Sequence, residues 1–153
     1  MKFTSTRLGS FELSEDEIIH FPEGLYGFEK EKRFGILPFD QQIECPMEWM
    51  QSLQTPDLAF VVTDPNIFVP EYQAPLGDGE KEQIQLRLDD PYMIRVIVNI
   101  PSAYIEMTAN LVAPIVINAA RKLAQQLILT TPVYDTRHYL FPREMRNSNT
   151  SPV

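Results

Sequence analysis

The side chains that could support catalysis or metal binding are few and lie far apart in this sequence. The candidates are Cys45, His20 and His138, and none follows the C-x-x-C or H-E-x-x-H spacing of a metal site. Cys45 lies close to Glu44 and Glu48, and neighbouring carboxylates disfavour the thiolate that a nucleophile needs. A G-x-S-x-G elbow and a glycine-rich phosphate loop are also missing. We therefore predict no catalytic, cofactor-binding or metal-binding residues, and a protein that is not an enzyme.

Acidic side chains outnumber basic ones, and their distribution along the chain is uneven. The formal net charge is −8. Residues 1–90 hold 18 acids and 7 bases, whereas residues 91–153 hold 3 acids and 6 bases. Nucleic-acid-binding proteins usually carry a basic face, so this balance disfavours direct nucleic-acid binding. The acidic half is either a solvated surface without a specific role or the side that faces a basic partner.

The sequence indicates a cytoplasmic protein. A single cysteine cannot form an intrachain disulfide, which fits a reducing compartment. The first ten residues contain no apolar segment of signal-peptide length, and the chain has no run of 18 apolar residues. We expect no association with a membrane.

The element pattern predicts a mainly β fold: a single compact, barrel-like domain of many short antiparallel strands with at most short helical turns. There are 13 prolines, spaced widely along the chain, and they leave little room for long helices. The choice between a barrel and a sandwich stays open. We place this domain at residues 1–142 and predict a disordered tail at residues 143–153.

Several segments carry more specific expectations. The alternation of apolar residues from Met93 to Ile100 makes this run the clearest strand. Ile67–Pro70 reads as a short edge strand, and residues 75–83 read as a mobile polar loop. Residues 119–126 contain strong helix formers between two β-rich runs, so a hairpin tip is favoured and a short helix is the alternative.

The stretch Met107–Asn118, "MTANLVAPIVIN", organises the C-terminal half. Pro114 prevents an uninterrupted helix, because proline lacks an amide proton and its ring collides with the preceding turn. The β-branched residues Ile115, Val116 and Ile117 favour a packed strand. The sequence therefore predicts a bend at Ala113–Pro114 that leads into a buried strand.

Four blocks in the right order resemble the flagellar assembly factor FliW family. They are "FPEGLYGFE" (Phe21–Glu29), "LQTPDLAFVVTDP" (Leu53–Pro65), "MTANLVAPIVIN" (Met107–Asn118) and "YDTRHYL" (Tyr134–Leu140). Together they span nearly the whole chain. Two departures from the family pattern are Tyr26, where a proline is frequent, and residues 119–126, where a more polar hairpin is usual.

The resemblance implies a non-enzymatic partner switch with a compact, barrel-like β fold and no cofactor. FliW-like proteins bind flagellin in the cytoplasm. They also bind the carbon storage regulator CsrA, a small basic RNA-binding dimer that represses flagellin translation. Once secretion removes flagellin, the freed factor binds CsrA and relieves repression. The alternative function is a small-ligand-binding or enzymatic β-barrel, which a deep apolar pocket with converging polar groups would support.

The candidate partner-binding residues come from the charge pattern and from the matched blocks. The acidic candidates, expected to lie near the RNA path on CsrA, are Glu71, Asp78, Glu80, Glu82, Asp89 and Asp90. Asn110 and Arg137 are polar residues beside apolar strands, as are Thr108 and Asn118. Each of these four is either a satisfied structural hydrogen-bonding residue or a contact residue, and the first role is favoured.

Overall fold

The computed structural model describes residues 1–40 and 45–150. Within these ranges the strands are β1 Lys2–Ser5, β2 Gly9–Glu12, β3 Ile19–His20, β4 Arg33–Pro38, β5 Met47–Ser52, β6 Ala59–Thr63, β7 Tyr92–Asn99, β8 Thr108–Ala109, β9 Ile115–Asn118, β10 Ala124–Gln126 and β11 His138–Tyr139. The helices are α1 Pro65–Phe68, α2 Asp78–Gln83 and α3 Arg143–Thr150, with 3-10 turns at Glu15–Glu17 and Tyr104–Glu106. The described helices are all too short or too polar to span a lipid bilayer.

Most strands belong to one antiparallel sheet in the order β10-β9-β7-β6-β5-β4-β3, and β8 pairs with both β7 and β11. A parallel bridge between His20 and Leu123 brings the two ends of this sheet together. An isolated bridge is not a continuous ladder of strand pairing. The sheet is therefore barrel-like without being a closed barrel. The predicted mainly β class, with short antiparallel strands and short helices, is confirmed.

The hairpin of β1 and β2 forms a separate two-stranded sheet that is fixed to β5. Its buried Ser5 hydroxyl donates a hydrogen bond of 2.7 Å to Oε1 of the buried Gln51. Nε2 of Gln51 in turn donates to the carbonyls of Ser52 and Leu58, both at 3.0 Å. Because buried polar groups need partners, this network ties the hairpin to β5 and leaves the Gln51 side chain hydrogen-bonded.

The apolar core lies on both faces of the sheet, and β7 contributes to both. Val96 and Val98 are buried in a cluster under the C-terminal segments, together with Met107 and Leu111. On the other face, Ile97 packs against the barrel interior, which is filled by buried residues including Phe21, Phe34, Met50, Val62 and Ile117. This double burial explains why both alternating faces of the strand are rich in apolar residues.

The bend predicted at Ala113–Pro114 is present. Strand β7 pairs with β8 through Val98–Ala109 and with β9 through Arg95–Ile115, so the residues between β8 and β9 loop out of the ladder. All four residues of β9 are buried. The looped-out carbonyls of Val112 and Pro114 accept hydrogen bonds from the backbone of Leu129 and Leu127.

Residues 119–126 form the tip and second strand of a hairpin, as favoured from the sequence. Strand β10 pairs with β9 in the register Ala124–Ile117 and Gln126–Ile115. The turn is closed by Lys122, whose φ of 55° lies in the left-handed region. Local helix propensity is overridden because Ala124–Gln126 pairs with the buried strand β9.

Three segments differ from the sequence predictions. The first half of the predicted edge strand Ile67–Pro70 belongs to α1, because Asp64 caps the N–H of Asn66 at 2.9 Å and Pro65 fits the first helical turn. The predicted mobile loop at residues 75–83 contains α2, whose first turn carries Asp78 and Glu80. The predicted disordered tail at residues 143–153 contains α3, which begins after Pro142, and residues 151–153 lie outside the described ranges.

Gly24 is the glycine whose backbone geometry is hardest to replace. Its φ is +67°, and a Cβ there would lie 2.5 Å from the carbonyl oxygen of Glu29. We expect Gly24→Ala to lower the free energy of unfolding by about 2 to 4 kcal/mol in a urea titration. Gly79→Ala is the matched control, since a Cβ there meets nothing within 4 Å and alanine favours α2. Equal unfolding midpoints for the two variants would contradict the expectation.

Candidate partner-binding surface

The acidic segment, residues 71–91, lies over the outer face of β9. Its buried residues Ile84 and Leu86 pack against Val116 and Leu127. Nδ2 of Asn118, which is fully buried, donates hydrogen bonds to the carbonyls of Ile84 at 2.9 Å and Gln85 at 3.2 Å. The segment is therefore held to the sheet by both apolar and polar contacts, and its charged residues face outward.

A groove of about 940 Å³ runs between the acidic segment and the start of β7. Its charged lining residues are balanced: Asp64, Asp89 and Asp90 face Lys81, Arg87 and Arg95. Apolar lining comes from residues such as Leu86, Met93 and Ile94. A groove with this mixed lining suits a polypeptide segment with both apolar and charged side chains better than a uniformly basic one.

Two of the six predicted acidic residues line the groove. Asp89 adopts a left-handed φ of 68°, and Asp90 uses its Oδ2 to accept a 2.8 Å hydrogen bond from the Arg87 backbone. Both therefore also shape the turn that precedes β7. Glu71 is exposed just after α1.

The other three acidic candidates lie on α2. Asp78 and Glu80 occupy its first turn, where negative charge stabilises the helix dipole, and Glu80 is half-buried. The Glu80 carboxylate lies over Gly77, where an added Cβ would approach Oε2 within 2.9 Å. Glu82 is exposed on the next turn. Asp78 and Glu82 are therefore the exposed carboxylates of α2, whereas Glu80 is partly buried.

Asn110 and Arg137 share a different, smaller pocket of about 310 Å³, which none of the six acidic candidates lines. Oδ1 of Asn110 accepts a 3.1 Å hydrogen bond from the Val112 backbone, so this side chain stabilises the loop that leaves β8. Arg137 is exposed. The structure thus supports a structural role for Asn110 and leaves the Arg137 guanidinium accessible.

Several groove residues were missed from the sequence. Leu88 is 92% exposed and Tyr92 is 46% exposed, so both present apolar surface at the groove. Arg95 is held by Glu48 through an ion pair of 2.7 Å. The isolated Leu88 within "RLDD" was the one local signal, because an apolar residue in a charged turn has no core to join.

The described residues do not assemble a reactive centre. His20 is exposed on β3, His138 is half-buried on β11, and Cys45 is exposed. Within residues 1–40 and 45–150, no group of three or more His, Cys, Asp or Glu side chains is arranged to hold a metal ion. The interior of the sheet is filled by fully buried side chains such as Phe34 and Met50.

Tyr72 fixes one wall of the groove. Its hydroxyl donates a 2.7 Å hydrogen bond to the carbonyl of Leu111, and its ring lies 4.6 Å from that of Tyr134. Burial raises the pKa of the Tyr72 hydroxyl above its usual value, so the group remains a donor. This contribution to stability is complete below the unfolded pKa of about 10 and is lost as the pH rises through the higher folded value.

We expect Tyr72→Phe to lower the free energy of unfolding by about 1 to 2 kcal/mol at pH 7, because the buried Leu111 carbonyl loses its donor. The difference from the wild type should shrink above pH 10, where deprotonation weakens only the wild type. Tyr92→Phe, at an exposed position, serves as the control. Urea titrations at pH 7 and pH 10.5 measure both effects, and a constant difference between them would contradict the assignment.

Comparisons with known proteins cover almost the entire chain. The family model of the FliW protein matches residues 2–140. The flagellar assembly factor FliW of Desulfitobacterium hafniense (strain DSM 10664 / DCB-2) is 39% identical over 142 residues, which cover 93% of this chain and 92% of that protein. The protein of the same name from Geobacillus kaustophilus is 38% identical, and the alignment covers 99% of that protein. A crystal structure of the flagellar assembly factor FliW superposes with a TM-score of 0.85 at 37% identity, covering 94% of this chain and 99% of that chain.

Proposed function

Since the chain belongs to the FliW family, we propose that it acts without catalysis as a cytoplasmic flagellar assembly factor with two protein partners. It binds flagellin, and when free of flagellin it binds CsrA and antagonises it. Repression of flagellin translation is thereby relieved once flagellin has been secreted. The observation that carries the proposal is the similarity of sequence and fold over nearly the whole length of both chains.

The charge distribution supports the choice of a basic partner. The net charge of −8 gives long-range attraction to a small basic protein and repulsion from nucleic acid. The part of the acidic segment around Ile84 and Leu86 packs over β9, and the segment carries exposed carboxylates such as Glu82. A basic protein that docks there would present its RNA path to these carboxylates.

The proposed mechanism of antagonism is electrostatic. RNA phosphates approaching CsrA would meet the carboxylates of Glu82 and its neighbours, and this repulsion lowers RNA affinity and weakens as salt screens it. If RNA and this protein occupy distinct sites on CsrA, linkage requires that bound RNA weaken the binding of this protein by the same factor.

Size-exclusion chromatography with CsrA and flagellin, separately and together, tests the proposal. We expect a complex with each partner alone. In the mixture, we expect flagellin to take the protein away from CsrA. If the protein co-elutes with neither partner, the proposal is wrong.

The size and the lining of the groove support the small-ligand alternative. It is large enough for a drug-sized molecule, and it has apolar lining with polar groups at its edge. A ligand there would contact Tyr92 and Met93. A melting-temperature screen of the purified protein against cellular metabolites would support this alternative if one class of compound raised the melting temperature and protection was lost in Met93→Ala.

A further inference from the structure

Helix α3 lies against an aromatic surface that includes Tyr104, Tyr139 and Phe141. The rings of Tyr104 and Phe141 meet edge to face with centroids 6.0 Å apart. Even with α3 in place, Tyr104 is 64% exposed and Tyr139 is 44% exposed. Tyrosine and phenylalanine grouped on a surface in this way are typical of the buried centres of protein interfaces.

The aromatic surface already holds an arginine of the same chain. The guanidinium of Arg146 lies over the ring of Tyr139, with Cζ 3.6 Å from the ring centroid. Its Nε donates a 3.2 Å hydrogen bond to the carbonyl of Phe141. A ring face and a backbone acceptor that engage one planar guanidinium form a site that distinguishes arginine from lysine.

The hold of α3 on this surface is weak. The helix has eight residues, and helices of this length are unstable alone in water. Met145 is its single large apolar residue, and this side chain is 47% exposed. The contacts of Arg146 with Tyr139 and Phe141 join residues that are five to seven positions apart along the chain. A segment that offered its own arginine together with apolar contacts could therefore replace α3.

We propose that the aromatic surface is a docking site for an arginine-bearing segment of a basic partner protein, and that α3 occupies this site in the free chain. The identity of the partner rests on the proposed function: of its two partners, CsrA is the basic one. The net charge of the whole chain attracts a basic protein at long range, and the arginine specificity of the site comes from the Tyr139 ring and the Phe141 carbonyl. On docking, the arginine of the partner would replace Arg146 over the Tyr139 ring and at the Phe141 carbonyl.

Two substitutions with opposite expected effects test the site in the full-length protein. Arg146→Ala removes the internal competitor, so the dissociation constant for CsrA should fall about fivefold. Tyr139→Leu keeps an apolar side chain but removes the ring face, so the dissociation constant should rise about fivefold. Arg143→Ala, an exposed arginine in the same helix, is the matched control and should leave the affinity unchanged. Isothermal titration with purified CsrA measures all three, and melting curves confirm that each variant is folded.

A second measurement does not depend on the partner. A synthetic peptide with the sequence of residues 142–153 is added to the full-length Arg146→Ala protein, and the NMR signals of Tyr104 and Tyr139 are followed. We expect concentration-dependent shifts with this peptide and none with a peptide that carries alanine in place of its second arginine. Equal shifts with both peptides, or none with either, would overturn the docking site.

The two measurements separate the inference from the proposed function. If wild-type protein does not bind CsrA, the proposed function is wrong. The peptide titration is then the remaining test of the docking site. If wild-type protein binds CsrA but Arg146→Ala and Tyr139→Leu change the affinity in the same direction or not at all, the inference is wrong while the proposed function stands.

Discussion

Asn118→Leu is expected to lower the free energy of unfolding by about 3 to 5 kcal/mol, a large fraction of the stability of a domain of this size. The side chain is fully buried, and its Nδ2 donates to two carbonyls of the acidic segment. Its Oδ1 accepts from the backbone N–H groups of Ala120 and Arg121 in the hairpin turn, at 3.1 and 3.2 Å. Leucine of similar volume leaves these four backbone groups, among them the carbonyl of the buried Ile84, without their partner.

The control for this substitution is Asn99→Leu, at an exposed position near the end of β7. It should change the free energy of unfolding by no more than about 0.5 kcal/mol. Urea titrations followed by the fluorescence of Trp49 measure both variants. Similar midpoints for the two would mean that Asn118 does not connect the acidic segment to the hairpin.

Reversing the charges of Glu80 and Glu82 together should weaken the displacement of RNA from CsrA about tenfold at low salt. The physical reason is the loss of repulsion between these carboxylates and the RNA phosphates. The effect should shrink as salt is added, since exposed charges are screened beyond about 8 Å at physiological ionic strength. Displacement is measured as the concentration of this protein that releases half of a labelled RNA from CsrA.

The matched control is Glu15→Lys with Glu29→Lys, which changes the net charge equally at exposed positions outside the acidic segment. Replacing Glu80 and Glu82 with glutamine should give an intermediate effect, because charge is removed without being reversed. Circular dichroism checks that α2 persists, since Glu80 lies in its first turn. An unchanged displacement curve at low salt would refute the electrostatic mechanism.

The parts of the fold that were predicted correctly from the sequence are those that local residue patterns determine. The alternation in β7, the bend before Pro114 and the hairpin of β9 and β10 each depend on residues close together in the chain. Helix α1 was missed because the Asp64 cap overrides the β-branched residues that follow it. Helix α2 was missed because its polar sequence has no amphipathic period to indicate packing.

The candidate surface was harder to predict because it is assembled from distant parts of the chain. The groove joins Asp64 and Tyr72 to Arg95, and sequence alone gave no reason to place them together. The roles of the polar residues in the "MTANLVAPIVIN" block were equally hard to predict from the sequence. A buried Asn118 and a half-buried Asn110 look alike in sequence, and only their hydrogen bonds reveal that each stabilises a turn. The six acidic candidates remain a proposal.

The most direct test of the proposed switch is a titration that contains all three macromolecules. Fluorescence anisotropy follows a labelled RNA from the flagellin transcript bound to CsrA while this protein and then flagellin are added at low salt. We expect the anisotropy to fall as the protein releases the RNA and to rise again when equimolar flagellin withdraws the protein. Anisotropy that stays constant at a large excess of the protein, or that fails to recover with flagellin, would contradict the proposed function.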